Sequence, residues 1–423
     1  MKKHPFVISL ITCMFLLGGE AEAQNKQLAP SKDIEQVLRS VASNVMQRTT
    51  FRLINTQTGK AVENSENLSV ESGYKVESPY NDWKYWNGVM NLGFLELGEI
   101  LNDPQFTEYA KKNVSFGFDH DAFIKKCSEA KVSFGGMSQK YRMRLLDDCG
   151  AMGASVLAVN AIDEQDRYEE YLNRAADYIM NKEKRLSDGT FCRNVPFAMA
   201  VWGDDLYMSV PFLARMGVAT GDVKYFNEAA KQVFLFNKHL WNEQKQLYYH
   251  AWYDDIQENG VALWGRCNGW VAMAQVELLD KIPADHPQKQ ELIQLLNRQI
   301  IGLSRYQDVS GLWHQLLDKE NTFLETSATA IFTYAIAKAI NEGWLDSRYA
   351  YVATQAWEGV VSKIREDGQV EGICAGTGVS TANSYYATRP TPLNDIHGLG
   401  AILLAGTEMI KLYKNGIPYV WGL

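Results

Sequence analysis

The sequence offers no pairing scheme for its cysteines. Of six, Cys13 sits in an N-terminal apolar run, and Cys127, Cys149, Cys192, Cys267 and Cys374 are odd in number and widely spaced. That argues against a disulfide framework. No CxxC or HExxH occurs, so no metal site is expected. Basic charge is in deficit, with 42 Lys and Arg against 50 Asp and Glu. A net charge of -8 gives no basic face for nucleic acid. After the N-terminal run, no stretch is long and apolar enough for a membrane helix. No Pro/Gly/Ser-rich linker divides the chain, which reads as one domain.

The N-terminus reads as a targeting segment. Met1-Lys2-Lys3-His4 is basic, Phe6 to Leu17 is a short apolar run, and Ala21-Glu22-Ala23 has the small-x-small pattern of a cleavage site. Residues 1–23 are expected to be a signal peptide and 24–423 the mature domain. The protein is then periplasmic or secreted, not membrane-bound, and is expected to be monomeric. Thr12 before Cys13 is a poor context for lipidation.

What is abundant is aromatic side chains, 12% of the sequence with 11 Trp and 21 Tyr. Sugar-binding clefts need flat apolar faces with polar tips, which these residues supply. The apolar periodicity is helical: Ile34, Val37, Leu38, Val41 and Val45 form one stripe, and Tyr225, Phe226, Ala229, Val233 and Phe234 another. Roughly twelve helices follow, starting near residues 33, 85, 105, 146, 166, 204, 222, 266, 288, 324, 346 and 395. Short strand-like pieces lie at 247–252 and 311–317.

Two kinds of helix alternate. Asp166 to Lys182, Gln288 to Ile301 and Asp346 to Ile364 carry charge on one face, whereas Asn268 to Leu279, Thr326 to Ile340 and Ile396 to Ile410 are nearly uncharged and rich in small residues. A helix without a polar face is buried all round. Alternating buried and half-exposed helices suit two concentric rings, an all-α (α/α)6 barrel of six hairpins.

Polar clusters head every second helix: Trp83 to Gly88, Asp147 to Gly150, Gly203 to Asp205, Trp264 to Trp270, Glu325 to Ser327, and Asn394 to Gly398. Their spacing of about 60 residues is one hairpin with its loops. If these helices form the inner ring, the six clusters meet on one rim, where helix N-termini suit a carboxylated ligand. Each Asp-Asp doublet has a plain reading as cap and first-turn acid. Capping uses one acid, however, and leaves the other for acid/base work on a sugar. His250 lies among aromatics in Tyr248 to Trp252. Arg266 is either half of a buried ion pair or a holder of substrate carboxylate. His397 is either a core histidine or a substrate contact.

The stretches Asp204 to Leu213, Arg266 to Trp270, Glu325 to Ala330 and Asp395 to Gly398 together resemble glycoside hydrolase family 105, the unsaturated rhamnogalacturonyl hydrolases, which are related to the family 88 unsaturated glucuronyl hydrolases. The resemblance spans Trp83 to the C-terminus. It implies the same barrel, no cofactor, and an unsaturated uronyl oligosaccharide as substrate, with galacturonyl-rhamnose first and glucuronyl substrates as the alternative. It also implies hydration of the sugar's C4=C5 bond by an aspartic acid, without attack at the anomeric carbon. The resemblance places catalysis at Asp204 with Asp147, leaving Asp205 and Asp148 as alternatives. Tyr85, His250, Trp264 and Arg266 are the substrate contacts that the resemblance implies, and Trp86, Arg193, Asn268, Trp270 and His397 are further candidate contacts. Arg193-Asn194 stand where some members carry a histidine.

Overall fold

The computed structural model describes residues 31–416; the expected signal peptide, residues 1–23, lies outside them. In chain order the helices are α1 (Ser31–Gln47), α2 (Tyr85–Leu101), α3 (Pro104–Asp119), α4 (Asp121–Glu129), α5 (Gln139–Arg142), α6 (Gly150–Asn160), α7 (Glu169–Asp177), α8 (Val210–Thr220), α9 (Val223–Leu240), α10 (Gly265–Lys281), α11 (Lys289–Ser304), α12 (Thr326–Asn341), α13 (Ala350–Val361), α14 (Asn383–Ala387) and α15 (Ile396–Lys414).

The two predicted kinds of helix separate into two rings. Residues Gly265 to Leu279 of α10, Thr326 to Ile340 of α12 and His397 to Ile410 of α15 are buried without interruption. Helix α11 instead buries one stripe, Leu292, Leu296, Ile300 and Leu303. Packing contacts run α2–α6–α8–α10–α12–α15 and return to α2, closing the inner ring. Helices α3, α7, α9, α11 and α13 each pack behind the inner helix that precedes them. The sixth outer position is filled by α1, which packs against α15. One hairpin of the (α/α)6 barrel is therefore assembled from the two ends of the described chain, an arrangement no local periodicity reports.

Small residues allow the inner helices to approach closely. A Cβ on Gly150 would overlap the carbonyl oxygen of Met208, and one on Gly400 would stand 2.6 Å from the backbone nitrogen of Met90. Away from the site, ion pairs join the inner helices near their C-terminal ends: Arg215 to Glu277 at 2.7 Å, Lys338 to Asp280 at 3.2 Å, and Lys411 to Glu96 at 3.4 Å.

Three pieces depart from the expected pattern. A small antiparallel sheet (53–55, 61–62 and 74–76) separates α1 from α2. Helix α4 adds to the expected twelve. Residues 372–395 form an extended strap between α13 and α15, carrying only the short α14.

Candidate active site

The six polar clusters lie at or just before the N-termini of the six inner helices. A chain that leaves one inner helix, returns along an outer one and starts again must bring all inner helices in parallel, so these starts share a rim. The two aspartate doublets sit there on single 3-10 turns, Leu146–Asp148 before α6 and Gly203–Leu206 before α8.

Both doublets divide in the same way. Asp148 has no exposed side-chain surface; the Arg142 guanidinium forks onto its two oxygens, and the Arg144 backbone N–H donates to it at 2.8 Å. Asp147 keeps 21% of its side chain exposed. In the second doublet Asp205 is 2% exposed and receives Arg193 Nε at 2.8 Å and Nη2 at 2.6 Å, whereas Asp204 keeps 14% exposed. The first acid of each doublet thus faces the cleft and the second is held from behind by an arginine.

Strand pairing places the next group. Residues 200–202 run antiparallel to 251–253, and the Gly203 N–H donates to the His250 carbonyl at 3.0 Å. His250 is thereby set beside Asp204, with its Nε2 3.0 Å from Oδ2. The imidazole Nδ1 lies 2.8 Å from the Tyr386 hydroxyl. That hydroxyl already accepts from the Ser380 N–H at 3.1 Å, so its own proton is available to Nδ1. With Nδ1 accepting from that hydroxyl, the single proton of a neutral imidazole sits on Nε2, on the side of Asp204.

The charges on the rim act on one another. Burial is the largest influence on Asp204 and pushes its carboxyl up, but His250, Arg193 and Arg266 together hold it below the ordinary carboxylate value. Burial carries Asp205 up to about 6 against the opposing pull of Arg193, with Asp147 and Asp204 adding to the rise. Tyr85, whose hydroxyl is pushed well up by burial, feels Arg266, Asp147, Asp204 and Asp395 at once, which places it centrally among the charged groups.

Aromatic rings wall the site. Tyr85 stands 4.9 Å from Trp86 and 5.9 Å from His397, and Trp86 is 4.6 Å from His397. On the other side Trp264 lies 4.6 Å from the His250 ring. His397 Nδ1 bonds to Asp395, the N-cap of α15.

Several expected contacts have other employment. Arg266 forms no ion pair among the described residues; it donates to the Cys374 carbonyl and, at 2.8 Å, to that of Ala375, pinning the strap over the rim. Its Nε is buried without a partner. Arg193 spends its donors on carboxylates of the protein, pairing with Asp147 as well as with Asp205. Asn268 donates to the carbonyls of Tyr248 and Trp264 and accepts from the Tyr248 N–H, which pins a strand. Trp270 is buried between Tyr85 and Tyr207. These last two support the site from inside the barrel.

The sequence reading missed Tyr386, which meets His250 across 136 residues, and Trp202, whose ring lies under Arg193 at 4.2 Å. Trp202 immediately precedes the second acidic turn, a signal that was available. For Tyr386 no local signal exists. Among the described residues no group of three His, Cys, Asp or Glu is placed to hold a metal ion. A cavity of about 770 Å³ opens at the opposite end of the barrel, lined by Leu95, Ile162 and Val218 among others. None of the rim aspartates or histidines described above is among its lining residues.

Comparison with known proteins agrees with this fold. The family model described as Glycosyl Hydrolase Family 88 matches residues 54–413. The unsaturated rhamnogalacturonyl hydrolase YesR of Bacillus subtilis is 31% identical over 272 residues, 63% of this chain and 77% of that one. An unsaturated 3S-rhamnoglycuronyl hydrolase of an Alteromonas species is 29% identical over 220 residues, covering 49% of this chain and 51% of that one. Among solved structures, a possible GH105 member from Salmonella enterica superposes with a TM-score of 0.75 at 24% identity, over 92% of this chain and 97% of that one. The unsaturated glucuronyl hydrolase of Bacillus sp. GL1 gives 0.62 at 15% identity, over 90% and 97%. At these identities the structural likeness shows the shared barrel.

Proposed function

Since the chain belongs to Glycosyl Hydrolase Family 88 and is a glycoside hydrolase, we propose that it removes a 4,5-unsaturated uronic acid from the non-reducing end of oligosaccharides left by polysaccharide lyases. The observation that carries this reading is the division of the doublets: Asp204 and Asp147 face the cleft while Asp205 and Asp148 are locked by arginines.

In this reading Asp204 is the acid and then the base. It gives its proton to C4, the π electrons form the new C4–H bond, and positive charge develops at C5 beside the ring oxygen. Water bonds to C5 and returns a proton to the Asp204 carboxylate. The resulting hemiketal opens and releases the aglycone sugar. The proton donor must be the neutral acid, whereas His250, Arg193 and Arg266 hold Asp204 low. An incoming sugar displaces water and brings its own carboxylate, and both effects push Asp204 upward. Substrate binding thereby favours the donor form.

The first substrate proposed is unsaturated galacturonyl-rhamnose from pectin, because YesR is named for rhamnogalacturonyl substrates and is matched over most of its length. The relative named for rhamnoglycuronyl substrates supports unsaturated glucuronyl oligosaccharides as a second reading. The basic-apolar-small sequence of residues 1–23 supports export to the periplasm or beyond. The test follows the ultraviolet absorbance of the conjugated C4=C5 bond with each substrate separately. Loss of absorbance with one of them supports the reading and selects the substrate; constant absorbance with both overturns it.

A further inference from the structure

We propose that Arg193 is a positioning residue: anchored to Asp205 and stacked on Trp202, it fixes the Asp147 carboxylate at the cleft wall, without itself binding substrate. This rests on the function proposed above.

The geometry accounts for most of the guanidinium. Nε reaches both Asp205 oxygens at 2.8 and 3.1 Å, Nη2 reaches Oδ1 at 2.6 Å, and Nη1 reaches Asp147 at 3.0 Å. One face is covered by the Trp202 ring, 4.2 Å from the guanidinium carbon. The backbone of Arg193 is tied to Ala200 by two hydrogen bonds, 2.8 and 3.1 Å, so the residue is braced against the strand that leads into Asp204. An arginine buried in this way already serves two anions. A third, on an incoming sugar, would have to displace one of them.

The planar fork is what permits a single residue to do this. Two parallel N–H groups hold Asp205 edge-on while the remaining terminal nitrogen points to Asp147. A lysine ammonium carries the same charge at one point and cannot fix both carboxylates in plane. The charged and titratable groups around this centre include Arg142 at the end of α5, Asp147 and Asp148 from the turn before α6, Glu183 after α7, Asp204 and Asp205 before α8, His250 just before the adjoining strand, and Arg266 and Tyr85 from α10 and α2. Arg193 is one of the residues that lower the Asp204 carboxyl. A nearby cation favours the charged carboxylate, so its loss raises the carboxyl's pKa.

Two variants test this. Arg193→Lys keeps the charge and loses the fork: kcat should fall about 10-fold or more while KM stays within about 3-fold, and the Asp204 titration should stay near its wild-type position. Arg193→Met removes the charge, and Asp204, followed by carboxyl-carbon NMR, should titrate at higher pH. Should the Met variant fail to fold, the kcat-against-KM split in the Lys variant decides alone. A rise in KM with kcat preserved would overturn the proposal in favour of direct substrate contact; wild-type kinetics in Arg193→Lys would overturn the positioning role. An unmoved Asp204 titration in folded Arg193→Met would overturn the placement of the Arg193 charge at this cleft wall. If the wild-type protein consumes no unsaturated uronyl substrate, the function fails instead, and the NMR titration still judges the coupling of Arg193 to Asp204.

Discussion

His250 Nε2 and Asp204 Oδ2 lie 3.0 Å apart at the cleft wall, both buried, close enough for a charge pair yet out of line for a hydrogen bond. The relationship depends on a strand pairing that joins residues about 50 positions apart, and on Tyr386 holding the far side of the imidazole. It leaves Asp204 an oxygen whose partner can be exchanged for a substrate atom during reaction.

Asp204→Asn should therefore leave the protein folded and lower turnover by roughly 10³-fold or more, because the proton donor is gone. Absorbance kinetics beside a thermal melt check both halves. Near-normal turnover would return the role to Asp205.

The locked acids should behave in the opposite way. Asp148→Asn leaves Arg142 without its carboxylate and Asp205→Asn leaves Arg193 with Asp147 alone, and breaking a buried pair costs about 3–5 kcal/mol. Arg142 is partly exposed and can recover some water, so Asp148→Asn should be the milder of the two. Urea denaturation of the four Asp→Asn variants should show large losses at 148 and 205 and small ones at 147 and 204.

Glu183 supplies a pH dependence. Burial carries its carboxyl up to about 8, with Asp205 and Asp147 reinforcing the rise and Tyr178 and Arg193 opposing it. The folded protein keeps this proton where the unfolded chain has lost it, so the contribution is complete below the ordinary glutamate value. It is lost as pH rises toward 8. Glu183→Gln should raise the melting temperature relative to wild type at pH 8 and change it little at pH 5. An equal shift at both values would remove the carboxyl as its cause.

Arg266→Ala removes the donors that hold the Cys374 and Ala375 carbonyls. Amide exchange across residues 374–386 should accelerate by about 10-fold or more, with little change in α12 or α15. If exchange rises uniformly, Arg266 supports the whole barrel and not the strap.

Gly150→Ala should be among the most damaging single-methyl additions in the chain. The added Cβ would meet the Met208 carbonyl, a backbone atom that cannot swing aside. A loss of about 1–3 kcal/mol or more in a urea melt is expected, and an unchanged midpoint would mean that α6 can shift outward.

The amino-acid sequence by itself determined the rings. Unbroken burial in α10, α12 and α15 follows from their lack of charge, and the stripe on α11 follows from its i, i+4 leucines and isoleucine. The doublets were also legible, because acids heading uncharged helices have no solvent face to explain them. Which acid of each doublet meets the cleft was decided only in three dimensions. The choice belongs to Arg142 and Arg193, whose forks need two oxygens in one plane, and neighbouring residues on a turn cannot both present theirs to the same guanidinium. The pairing of α1 with α15 and of His250 with Tyr386 was likewise set by closure of the ring. Local periodicity records which face of a helix is buried, but not which distant segment buries it.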